Sequence, residues 1–469
     1  MEQRTKRDLV LKNIVSDFET KIEKGEVGIL DEKLLFQLVD YYDNEMQMDK
    51  ALEVIEIAIE QYKYRSEFLI IKSKLLLNMG LVEDCLYTLN EAEIIAPYEI
   101  EISIIRARAL GMNSKFDEAL SITNDLKTYA RGGDLVDILV AESHIYEQLG
   151  DVNMMFEVLN NSLRIDSNNK EALNNVLPAV VQSKKFNEGI ELHEFMLDEN
   201  PYNYLAWYNI GHFYCYINEY EKAADAFEYA FIIEPDFEDA YLECAEIYLL
   251  LNNHKKALKF YKEALSVFGD DSDLLFNIAK CQFELKLYPS AKQNLLKALK
   301  HDQYNDEIYH LLGECYSKMD NWYSAINAYQ KALAIEEDRE EYYIGIAKAY
   351  AAIEDYGKAT LNFQMATEIN DQDSHVWAEY ISFILKLGLY KEALQIVEEA
   401  DYHTYGADLL YCKAAALFFL KRKKSGLKIL EEALIDDIAA KTILFNLAPE
   451  LEVDKEIAAM VSYYISESE

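Results

Sequence analysis

Small residues return along this chain with a fixed stride. Ala223 is followed at intervals of 34 by Ala257, Ala291, Ala325, Ala359 and Ala393, and a step of 33 reaches Gly426. Backwards, Gly189 and Met155 keep the interval, a step of 36 leads to Ala119, and steps of 34 return to Cys85 and Ala51. Twelve repeats follow, starting near residues 32, 66, 100, 136, 170, 204, 238, 272, 306, 340, 374 and 407. A repeat of this length is one supersecondary unit. It cannot bury its apolar face alone, so each copy must stack on its neighbours.

The sixth repeat, WYNIGHFYCYINEYEKAADAFEYAFIIEP from Trp207 to Pro235, shows what one copy contains. Trp207, Ile210, Gly211 and Tyr214 stand at i, i+3, i+4 and i+7, one face of an α-helix. Ala223, Phe227 and Ala230 mark one face of a second helix, and INEYEK between them supplies a polar turn. The small residues Gly211 and Ala223 allow the helices to approach closely, with aromatic rings filling the space beside them. Each copy therefore reads as a helical hairpin.

The pattern W-x2-L-G-x2-Y, then Ala, Phe or Tyr, Ala and Pro, resembles the tetratricopeptide repeat. WYNIGHFY, AADAFEYA and the closing proline match nearly every signature position; YHLLGECY with AINAYQKA and YIGIAKAY with ATLNFQMA match almost as well. The resemblance covers about residues 32 to 437. It implies an all-α solenoid, a right-handed superhelix of about twelve helix-turn-helix repeats, with a concave groove lined mainly by first helices. Residues 9 to 22, within a segment 1–31, are expected to cap one end; 438–469, ending EIAAMVSYYISESE, should supply a capping helix and a tail at the other.

Repeats 1–3 occupy 32–130 and the regular repeats 6–12 occupy 204–437. Repeats 4 and 5, residues 131–203, depart from the pattern. Met154, Met155 and Gly189 replace the usual small and aromatic set, YARGGD adds two residues, and Pro178 falls inside a first helix, where it is expected to kink it. This stretch is a candidate bend.

Net charge is −38, from 84 acidic and 46 basic residues. Such a field disfavours nucleic acid and anionic membrane and suits a solvated surface or basic partners. No uninterrupted apolar stretch marks a signal peptide near the N-terminus, and no 18-residue uncharged apolar run suggests a membrane span. Cys85, Cys215, Cys244, Cys281, Cys315 and Cys412 are scattered without a CxxC pair, as buried free thiols of a reducing cytoplasm would be. A cytoplasmic protein is expected.

Catalytic constellations are missing from the sequence. HEF at His193 lacks the second histidine of a zinc-protease helix, and no phosphate loop or nucleophile elbow occurs. About 30 residues at each end leave too little for a catalytic domain. Glu67, Glu101, Asp137, Glu171, Asp239, Asp273, Glu307, Glu341 and Asp408 share the second position of their repeats, in the first turn of the first helix, where the helix dipole favours a carboxylate. His144 and His212 share a repeat position, which stacks them along the groove rather than around an ion. The basic run Lys421 to Lys424 falls in the turn of the last repeat and is expected to be solvated. No metal, cofactor or enzymatic activity is expected.

The resemblance also implies that the second, fifth, ninth, twelfth and thirteenth residues of each repeat face the groove. Chaperone adaptors of the family hold a C-terminal carboxylate with Lys at the fifth and Asn at the ninth. Here those pairs include Phe36/Asp40, Ile70/Lys74, Tyr208/His212, Leu242/Glu246 and Phe276/Lys280, and no repeat shows Lys followed by Asn. A carboxylate clamp is therefore not expected. The richest patch lies in repeats six to eight: Tyr208, His212, Tyr216, Leu242, Glu246, Leu249, Leu250, Phe276, Lys280 and Phe283. These residues form the candidate partner-binding groove. The reading is a non-enzymatic scaffold binding a protein or peptide there. The alternative is a regulatory sensor acting through a bend in repeats four and five; an enzyme with an unrecognised groove site is less favoured.

Overall fold

A computed structural model of the chain describes residues 13–22, 24 and 28–468. Residues 9–12 of the expected N-terminal capping helix lie outside the described residues. Among the described residues every regular element is helical, and the fold is the all-α succession of hairpins that the stride requires. The chain forms two compact bodies, Met1–Ala240 and Tyr241–Glu469.

The register is visible in the backbone itself. Between the two helices of each repeat one residue adopts positive φ, and it is always the fifteenth: Met46, Gly80, Ser114, Gly150, Lys184, Asn218, Asn252, Lys286, Asp320, Glu354, Gly388 and Lys421. Left-handed backbone brings Cβ close to the following carbonyl, a strain that glycine avoids and asparagine tolerates. Glycine or asparagine fills five of the twelve positions. The other seven carry strain that the packed hairpin imposes.

Lys286→Gly should therefore stabilise the C-terminal body by ~0.5–1 kcal/mol, the relieved strain less glycine's extra unfolded-state entropy. Gly80 has open space where a Cβ would stand, so Gly80→Ala should cost about 1 kcal/mol through the backbone alone. Urea midpoints of the two variants moving in the same direction would contradict this account.

All twelve small-stride positions, from Ala51 to Gly426, are buried. Close approach explains the glycines of the first helices that face them. A Cβ on Gly211 would stand 2.7 Å from the Phe227 ring, and one on Gly313 would stand 2.5 Å from Tyr329. Tyr329 also covers Gly345 in the first helix of the next repeat, at 2.7 Å from its would-be Cβ. One ring thus ties its own hairpin to its successor.

Polar groups fix where the first helices begin. Asn169, Asn203 and Asn305 each accept a bond from the backbone N–H three residues on, satisfying a donor that the helix leaves orphaned. The indole of Trp207 donates to the carbonyl of Pro201 at 2.9 Å, and Trp377 repeats the bond to Asp371 at 3.0 Å. A large aromatic at this position therefore anchors the inter-repeat turn as well as the hairpin.

Repeat 4 begins differently from the sequence expectation. Its first helix, Gly133–Leu149, starts early after Gly132 at φ 57°, so Asp134 occupies the first turn and Asp137 lies one turn further in. The inserted glycines allow this early start. Pro178 is held inside the continuous helix Lys170–Ser183.

At the N-terminus, residues 13–22 are helical, and Val15 and Phe18 join the core of Leu35, Leu38 and Tyr42. At the other end the helix Lys455–Ser468 buries Ile457 and Val461 against a core containing Leu430 and Leu444. Lys423, expected in a solvated turn, instead begins the helix Lys423–Asp436 and pairs with Asp454 at 2.9 Å and Glu456 at 3.0 Å. Five cysteines are buried, while Cys215 is only partly so, against the expectation of six buried thiols.

Candidate functional site

The groove candidates divide between the two bodies. In the N-terminal body, Tyr208 and His212 lie on the helix Tyr204–Tyr216 and are both half-buried. The Tyr208 ring packs edge-on to His212 at 4.6 Å and to Phe237 at 4.8 Å, with Phe227 at 5.6 Å. Burial lowers the His212 imidazole from its ordinary range to about 4. These two rings are largely engaged within their own repeat. Tyr216 is different: it is 53% exposed and stacks on Phe186 at 4.9 Å.

In the C-terminal body, Leu242 and Leu249 are half-buried, whereas Glu246 and Leu250 are exposed. Phe276, on the helix Ser272–Glu284, is half-buried under the Lys280 ammonium, 5.3 Å from the ring centre. Phe283 meets Tyr288 edge-on at 5.4 Å. An aromatic face with a cation already above it presents area and charge together.

Elsewhere the first-helix face carries ion pairs between repeats. Lys74 pairs with Glu101. Lys348 reaches Glu379 at 2.7 Å. Glu171 receives both Arg108, at 3.4 Å, and the His144 ring, at 3.0 Å. This meeting is possible because the first helices of repeats 3 and 4 touch closely, a Cβ on Gly111 standing 3.0 Å from Ile145. Hydrogen bonding from His144, with help from Arg108, lowers the Glu171 carboxyl, while burial and the neighbouring Glu171 raise that of Asp137. His144 is thus a partner of Glu171 and Asn175.

One feature of this face has no signature in the repeat pattern. A hollow of about 770 Å³ opens over repeats 1 and 2. Phe36, Ile71 and Leu75 line it together with Asp40, Asp43 and Lys74. Phe36, Asp40 and Asp43 occupy the fifth, ninth and twelfth places of repeat 1. The available signal was Asp43, an acid in the last turn of its helix.

His193 of the HEF motif has a structural role. It is fully buried, its Nδ1–H donates to the Gly189 carbonyl at 2.8 Å, and Nε2 faces the Asn209 amide at 3.4 Å. Burial lowers its imidazole to about 4. A folded value below the ordinary 6.5 means that the unfolded chain takes up the proton first. This group's stabilisation is therefore complete above pH 6.5 and is lost as pH falls toward 4, by up to about 3 kcal/mol. The urea midpoint of the N-terminal body should drop between pH 7 and 4.5, and His193→Gln should reduce that dependence, leaving the share that His212 carries. An unchanged slope in the variant would remove His193 as its source.

Stacked hairpins with one face of first helices and another of second helices define a helical-repeat protein. Three tetratricopeptide-repeat family models match the sequence, at residues 136–169, 252–315 and 308–341. The chain is a tetratricopeptide-repeat protein. A search of curated protein sequences returned no match. Among solved structures, MamA is similar at 19% identity over 36% of this chain and 92% of its own, with a TM-score of 0.35. YrrB, described as a TPR protein with an unusual peptide-binding site, is similar at 18% identity, covering 39% and 94%, with a TM-score of 0.35. The APC/C hetero-tetramer Cut9–Hcn1 is similar at 13% identity, covering 85% and 96%, with a TM-score of 0.35. Among the described residues no helix is long and apolar enough to cross a membrane.

Proposed function

We propose that the chain is a non-catalytic interaction scaffold that holds segments of partner proteins on its first-helix face. The supporting observation is the pairing of partly open rings with charge on that face. Tyr216 is half exposed in repeat 6, and Phe276 lies under Lys280 in repeat 8. Aromatic rings give large contact area at low entropy cost, and neighbouring charges set register.

The test is affinity capture from the native cell with the whole chain, followed by calorimetry on the recovered partner. Tyr216→Ala combined with Phe276→Ala should weaken binding by roughly 2–4 kcal/mol in total if both rings are anchors. Circular dichroism must first show that the double variant folds. Unchanged affinity in a folded variant would remove these rings from the binding surface.

A further inference from the structure

We propose that the hollow over repeats 1 and 2 docks a partner segment in which a basic side chain flanks an apolar anchor. The inference rests on the reading that the first-helix face binds protein segments, and it names one place and one ligand chemistry. The floor is apolar and fixed: Leu75 is buried, and the half-buried Phe36 ring stacks on Phe68 with 4.7 Å between centres. A space of about 770 Å³ lies in the range that natural pockets offer to a ligand, so one large apolar side chain and its neighbours fit.

Charge selects the occupant. Asp31, Glu32, Asp40 and Asp43 line the hollow beside Lys33 and Lys74. Glu32 is matched by Arg65 at 2.7 Å, and the Lys74 ammonium is given to Glu101 of the next repeat. That leaves Asp31, Asp40 and Asp43 against Lys33, an excess of negative charge around an apolar floor.

Helix stability does not account for two of these acids. Asp31 precedes the helix Glu32–Asn44, where a carboxylate is favourable, but Asp43 sits in its last turn and Asp40 one turn earlier. At Asp43 the helix dipole is negative and a carboxylate opposes it, while Asp40 lies beyond the reach of the favourable N-terminal end. Acids further along this face differ, since Glu101 of repeat 3 and Glu171 of repeat 5 are held by Lys74, Arg108 and His144. A cationic partner group beside Asp40 and Asp43 would relieve this repulsion, and the apolar floor would hold the adjoining side chain.

A random-peptide library displayed on phage, selected on the immobilised full chain, tests the assignment. Asp40→Asn/Asp43→Asn and Phe36→Ala chains are run in parallel after circular dichroism. Enriched peptides should carry Arg or Lys next to Leu, Ile or Phe. Their Kd should rise about tenfold on Asp40→Asn/Asp43→Asn and should weaken with added salt. Enriched peptides without basic residues, or basic peptides bound equally by the asparagine variant, would overturn the assignment while leaving segment binding intact. Enrichment that appears only when residues 1–12 are removed would assign the hollow to the chain's own basic segment and overturn the partner. No enrichment over blank resin would overturn both this inference and the scaffold reading.

Discussion

Tyr329→Ala should destabilise the C-terminal body by about 3–5 kcal/mol, the range for deleting a fully buried aromatic ring. The ring is 1% exposed and fills the space left by Gly313 and Gly345 on two successive first helices. Its hydroxyl donates to Glu314 at 2.9 Å. Removing it leaves a cavity between repeats 9 and 10, and neither glycine has a side chain to close it. Tyr329→Phe keeps the volume and loses only the hydroxyl's hydrogen bonds, to Glu314 and Ser317, so it should cost about 1–2 kcal/mol. Urea unfolding of both variants, followed by hydrogen exchange of residues 306–369, separates the two effects. Equal losses would mean that the hydroxyl, rather than the ring, carries the contact.

A comparable loss is expected at the start of repeat 4. Glu142 is 2% exposed on the helix Gly133–Leu149, and Lys127 donates to its two carboxylate oxygens at 2.8 and 2.7 Å. Lys127→Met would leave that carboxylate buried and unmatched, at a cost of roughly 3–5 kcal/mol to the N-terminal body. Removing both charges is different: Lys127→Met with Glu142→Leu should return to within about 1 kcal/mol of the starting protein or exceed it, because neither ion then needs desolvation. A double variant as unstable as the single one would show that packing, rather than the stranded charge, sets the loss.

The stride of small residues told the fold almost completely. Among the described residues the fifteenth residue of each repeat turns left-handed whatever its side chain. Lys286 and Glu354 have no turn signature of their own; tertiary packing of the hairpin decides their backbone. The inserted glycines before repeat 4 were legible as an irregularity. Their consequence, an early helix start that moves Asp137 out of the first turn, depends on where Gly132 caps the helix.

The candidate site was less legible, for a physical reason. Repeat position indicates which face a side chain leaves from, but not how much of it neighbouring rings cover. Tyr208 and Tyr216 share one first helix, yet Tyr208 is surrounded by His212, Phe227 and Phe237, whereas Tyr216 stays half open. The hollow beside Phe36 escaped the sequence because it is a volume left unfilled between helices, and only Asp43 hints at it. Lys423 stays exposed as expected, but its ion pairs were not legible, since Asp454 and Glu456 come from the capping segment outside the repeat pattern.

Partners are expected to lie on the first helices. Photo-crosslinking residues placed at Asp40 and Lys280, on first helices, can be compared with the same group at Tyr87 and Leu361, exposed on second helices. Irradiation in the native cell should give partner adducts from Asp40 or Lys280 and none from Tyr87 or Leu361. Adducts confined to Tyr87 and Leu361 would contradict the account.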